Sequence, residues 1–127
     1  MTPALNPILL IEDEPSVTAF VRAALERHGY TVVPAASGAE GLARLSENSF
    51  GGVISDIRMP GSVNGAEVHD WIRAHRPELQ QRVILISGDT ANSKTQALLA
   101  GSGIPCIEKP FRVQQLISVV ESTFGKP

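Results

Sequence analysis

Four short apolar runs end in residues equipped for chemistry. Glu12 and Asp13 follow ILLI (8–11), Asp56 follows GVIS (52–55), Ser87 closes VILIS (83–87), and Glu108 closes IPCIE (104–108) with Lys109 next. If Asp13 and Asp56 face each other at about 4 Å, their repulsion is of order 4 kcal/mol at an effective dielectric near 20, and a cation must offset it. Carboxylate oxygens with no histidine or cysteine beside them are hard donors that favour Mg²⁺, which keeps several waters and leaves positions open for phosphate oxygens. Lys109 and Ser87 would supply a point charge and a hydrogen-bond donor to a phosphoryl group. The chemistry these residue types suggest is phosphoryl transfer onto a carboxylate.

Convergence of such distant positions requires a particular scaffold. ILLI is apolar on consecutive positions, as expected of a strand buried on both faces. Val17, Phe20, Val21, Ala24, Leu25 and His28 recur at helical spacing, with Pro15 suited to the first turn and Gly29 to the C-terminal cap. TVVPA (31–35) is strand-like, and Ser37 then caps a helix carrying Leu42 and Leu45. GVIS is the third strand, and Asn64 caps a helix with Val68, Trp71, Ile72 and His75 on one face, where Trp71 is expected in the core. VILIS is followed by a short helix over 92–100, then IPCIE, then a helix with Val113, Leu116, Ile117, Val120 and Phe124 at regular spacing.

Five β-then-α units predict an α/β fold, a parallel sheet covered by helices on both faces. Barrel closure needs about eight such units, so five point to an open doubly wound sheet. Pro34 and Pro105 cannot donate to a ladder, which sends the second and fifth strands to the edges. The result is the flavodoxin-like (βα)5 order 2-1-3-4-5, whose site lies beyond the carboxyl ends of the central strands. Glu12, Asp13, Asp56, Ser87, Glu108 and Lys109 all fall on that rim.

A length of 127 residues is expected to form one domain over 1–127 with a core over residues 7–124, and the net charge of -2 offers no basic patch for direct nucleic-acid binding. The lone Cys106 excludes an internal disulfide and fits a reducing compartment. No apolar stretch approaches the ~20 residues that cross a bilayer, so membrane insertion is not expected and the cytoplasm is.

Taken together, LIEDEP, SDIRMPGSVNG, LISGD and IEKPF resemble the four signature blocks of response-regulator receiver domains, in order and across essentially the whole chain. The resemblance implies that Asp56 accepts a phosphoryl group from a histidine kinase and that the domain catalyses much of the transfer itself. It implies Mg²⁺ held by Asp13, by Asp56, by the Arg58 backbone carbonyl and indirectly by Glu12. It further implies that Lys109 contacts the phosphoryl oxygens, that Ser87 moves to hydrogen-bond them, and that Lys109-Pro110 is cis. The expected partners are a histidine kinase or a histidine phosphotransfer domain, with a homodimer through the fourth helix, fifth strand and fifth helix a further option. The block GSGIPCIEKPF is more similar to receivers of hybrid histidine kinases than to those of transcription factors. The chain closes soon after the last helix, so the expectation is a stand-alone regulator or a piece of a longer sensor.

Departures from the family pattern are equally informative. Cys106 stands three residues before the lysine, where many receivers carry tyrosine or phenylalanine, and its small thiol cannot report movement of Ser87 as a ring would. Arg58 and Asp89, of opposite charge, occupy positions that tune phosphoryl lifetime in the family, and a pair between them would shield the acyl phosphate. Their alternative is two solvated charges worth under ~1 kcal/mol. Pro60 and Gly65 are expected to do no more than shape the loop, and His28, His69 and His75 have no second ligand spaced to form a metal site.

Competing functions fit less well. An FMN site would need hydroxyls and amides where EDEP stands, an aspartate-nucleophile phosphatase would want an acid where Arg58 sits, and no GxxxxGK[ST] is present. The remaining alternative is a phosphorylation-independent interaction module on the same fold.

Overall fold

A computed structural model describes residues 6–57, 63–88 and 103–126. The expected helix over 92–100, together with Arg58, Pro60 and Asp89, lies outside the described residues. The strands are β1 (Ile8–Ile11), β2 (Val32–Ala35), β3 (Gly52–Asp56), β4 (Val83–Ser87) and β5 (Cys106–Glu108), and the helices α1 (Pro15–Arg27), α2 (Gly38–Glu47), α3 (Gly65–His75) and α4 (Val113–Phe124).

All residues of β1, β3 and β4 are buried, because consecutive side chains point to opposite faces and helices cover both. Ile8 and Leu10 join Ile54, Ile84, Ile86 and Ile107 on the face packed by Val21 and Leu25 of α1 and Leu116 and Val120 of α4. Leu9, Ile11, Val53 and Leu85 point the other way, onto Leu45 of α2 and Val68 and Ile72 of α3. The five strands are parallel in the order β2-β1-β3-β4-β5, with β2 and β5 at the edges as the two prolines require.

Local signals in the sequence act as expected. Ser37 accepts a hydrogen bond from the Glu40 amide (3.1 Å) and Asn64 from the Glu67 amide (3.0 Å), capping α2 and α3. Gly29 follows α1 at φ +93°, a conformation that favours glycine. Two aromatic side chains depart from expectation. Phe20 is 42 % exposed and meets the Phe111 ring edge-on (5.8 Å between centroids), since the apolar stripe of α1 is wider than the sheet face it covers. Trp71 is half-buried at the rim of the core and stacks on His75 (4.6 Å, 21°).

At the opposite end from the strand termini of interest, Arg82 ties α4 to the sheet. Its guanidinium donates to the carbonyls of Gly51 and Phe124 and lies 5.7 Å from the centre of the Phe124 ring. Tyr30 adds a hydrogen bond to the Gly125 carbonyl (2.7 Å).

Candidate functional site

Strand register assembles the rim. Ile11 lies level with Ser55, Asp56 with Ile86, and Ser87 with Glu108, so the residues that follow each strand emerge side by side. The Glu12 amide donates to the Ala35 carbonyl (3.0 Å) and the Lys109 amide to the Ser87 carbonyl (2.8 Å), which extends the ladder up to the site. Lys109-Pro110 is cis, as the resemblance implied.

The side chains then converge on Lys109. Its Nζ lies 2.7 Å from Asp56 Oδ2, 3.1 Å from Glu12 Oε1 and 3.5 Å from Glu14 Oε1. Asp56 is 5 % exposed and Glu12 2 %. Glu12 Oε2 accepts from the Glu14 amide (3.2 Å), whereas Oε1 is buried and, despite its closeness to Nζ, has no aligned hydrogen-bond partner. Burial pushes the Glu12 carboxyl from 4.5 up to about 7, with Asp56 adding to the rise while the Glu14 amide and Lys109 oppose it. Burial works against the Lys109 charge too, but contacts with Asp56 and Glu12 outweigh it and hold the ammonium above the usual lysine range.

Carboxylate oxygens of Glu12, Asp13, Glu14 and Asp56 all lie within 4.8 Å of one another. This all-oxygen donor set, with a buried oxygen of Glu12 lacking an aligned donor, suits a hard divalent cation. Of the residues expected from the sequence, Glu12, Asp13, Asp56 and Lys109 are gathered by these distances, and Ser87, 1 % exposed, stands at the end of the neighbouring strand. Arg58 and Asp89, and with them the expected carbonyl ligand and the shielding pair, lie outside the described residues.

Two further participants were not anticipated. Glu14 was visible as the third acid of EDEP, but nothing in its position told that it would reach the lysine. Gly65 does more than shape a loop. The start of α3 presses on the end of β3 so closely that a Cβ there would lie 2.8 Å from the Asp56 carbonyl oxygen and 2.9 Å from Ile57 Cα, and the Gly65 amide donates to the Ile57 carbonyl (3.0 Å). Cys106 is half-buried against the side of the sheet covered by α2 and α3, and burial, then Glu108 and Asp56, push its thiol up.

The model of the response regulator receiver domain family matches residues 8–121. The chain belongs to the response-regulator receiver domain family. It is 31 % identical over 117 residues to the response regulator receiver protein CpdR of Brucella abortus, a match covering 92 % of this chain and 95 % of that one. It is 33 % identical over 123 residues to the sensor kinase CckA of the same organism, covering 94 % of this chain and 12 % of that protein. A solved structure of the response regulator TrrA of Thermotoga maritima in complex with Mg²⁺-BeF superposes with a TM-score of 0.79 at 28 % identity, covering 94 % of this chain and 99 % of that one. The chain spans less than half the length of the first curated relatives it matches. As a receiver domain it is a phosphoacceptor module of two-component signalling, and such domains interact with histidine kinases or phosphotransfer proteins. No helix among the described residues is long and apolar enough to cross a membrane.

Proposed function

We propose that Asp56 is the phosphoacceptor of this receiver domain, with Lys109 and Ser87 as its partners in the transfer. The observation that carries the reading is the 2.7 Å contact between Lys109 Nζ and Asp56 Oδ2 inside a buried acidic cluster at the ends of the central strands. An Asp56 carboxylate oxygen attacks phosphorus as the bond to the donor histidine nitrogen breaks, and the imidazole leaves with the electron pair. Lys109 then exchanges its contact with the carboxylate for the phosphoryl oxygens, and the Ser87 hydroxyl donates to another of them. The protein's contribution is positioning and charge stabilisation, because the transition state asks for little covalent help.

Asp13 and Asp56 would hold Mg²⁺ directly, Glu12 through water, and the backbone carbonyl of Arg58 would complete the protein ligands. When bound, that ion supplies neutralisation of charge on the transferring group. Hydrolysis, or return to a histidine phosphotransfer domain, would clear the phosphoryl group. We place the domain in the cytoplasm, with a histidine kinase as donor, and assign any homodimer to the surface of the expected helix over 92–100, β5 and α4. Cys106, the first residue of β5, makes the route from Ser87 to a partner different from an aromatic relay.

Incubation with acetyl phosphate and Mg²⁺ should add one phosphoryl mass to the wild-type domain and none to Asp56→Asn. No gain in the wild type would favour the phosphorylation-independent interaction module.

A further inference from the structure

We infer that Glu14 is a positioning residue for this reaction: its carboxylate holds Lys109 in the unmodified domain and slows the approach of anionic phosphodonors. The inference rests on Asp56 as phosphoacceptor. Glu14 occupies the N-cap position of α1 in extended backbone (φ -90°, ψ 115°), yet its side chain makes no capping hydrogen bond. Glutamate is not among the residues favoured there, so capping does not account for it. Its Oε1 instead lies 3.5 Å from Lys109 Nζ.

Lys109 is thus shared among three carboxylates, and they are not equivalent. Asp56 and Glu12 are buried, whereas the Glu14 side chain is 59 % exposed, at the mouth of the site. Beneath it the buried Glu12 Oε1 has no aligned hydrogen-bond donor and is aimed at the same lysine, so the cluster carries more negative charge than Lys109 can satisfy. A phosphoryl group approaching Asp56 must pass the outermost of these charges and draw Lys109 away from it. Glu14 has the longest of the three contacts and is the one Lys109 gives up most easily.

In the test reaction the Asp56 oxygen forms a bond to phosphorus while the bond from phosphorus to the acetate oxygen breaks, and acetate leaves with the electron pair. Initial rates would be measured by intact mass with Mg²⁺ for the wild type, Glu14→Gln and Glu14→Asp, using acetyl phosphate and the less negative phosphoramidate. Glu14→Gln should react with acetyl phosphate about three- to tenfold faster, since one charge is removed near the path of a dianion. The gain should be smaller with phosphoramidate and shrink toward none at high salt, where exposed charges are screened. Glu14→Asp, which keeps the charge but shortens the reach to Lys109, should gain less than Glu14→Gln. Wild-type rates for Glu14→Gln with both donors, or a gain indifferent to salt and donor charge, would overturn the inference while leaving Asp56 as acceptor. A wild-type domain that takes no phosphoryl group from either donor would instead overturn the assignment of Asp56 on which it rests.

Discussion

Replacing Gly65 by alanine tests how the fold presents Asp56. The added Cβ would sit 2.8 Å from the Asp56 carbonyl oxygen, 2.9 Å from Ile57 Cα and 3.3 Å from Leu85 Cδ2, and two of those three atoms are backbone at the end of β3. Overpacking a close contact costs about 1–3 kcal/mol. Alanine recovers up to about 1 kcal/mol of helix propensity, less at a first helical position. The net is a loss of roughly 1–2 kcal/mol, which for a domain of this size lowers Tm by about 3–10 °C. Because the strain falls on the carbonyl of Asp56 itself, phosphorylation by acetyl phosphate should slow as well. Thermal unfolding followed by circular dichroism, with initial rates by intact mass, would read both effects. An unchanged or raised Tm together with the wild-type rate would show that α3 does not constrain the acceptor.

Other perturbations address the charges and the anchoring of the last helix. Glu12 binds its proton at about 7 in the folded domain against 4.5 when solvated, so folding takes up a proton between those values and Glu12's contribution to stability is lost as pH rises through that window. In chelated buffer, Glu12→Gln should flatten the fall in Tm between about pH 5 and 7.5, and an unaltered slope would contradict the shift. Lys109→Met removes the ammonium that lies among the acidic oxygens, so the unmodified domain should bind Mg²⁺ more tightly by calorimetry, by about tenfold, while its affinity for beryllofluoride falls by at least about tenfold. Arg82→Ala leaves the Gly51 and Phe124 carbonyls without their donor and should cost about 1.5–3 kcal/mol in urea unfolding, with little change in phosphorylation rate.

The topology was legible because this sequence punctuates its strands strongly. Consecutive aliphatics marked β1, β3 and β4 as central, while Pro34 and Pro105 assigned the edges, and that order alone predicted which strand ends share a rim. Asp56, Asp13, Glu12 and Lys109 followed, since each sits at or just after a strand end. What escaped depends on distances that no local pattern encodes. The reach of Glu14 across to Lys109 is set by how α1 starts, and the closeness of Gly65 to Asp56 by how α3 packs on β3. Phe20 and Trp71 illustrate the same limit in the core. Helical spacing tells which face a side chain occupies, and the breadth of the covered sheet decides whether it is buried.

The most direct measurement is to locate the phosphoryl group. After reaction with acetyl phosphate and Mg²⁺, borohydride reduces an aspartyl phosphate to the alcohol, and peptide mass spectrometry identifies the reduced position. Reduction is expected at Asp56, dependent on both acetyl phosphate and Mg²⁺. Reduction at Asp13 or another carboxylate, or at none, would contradict it.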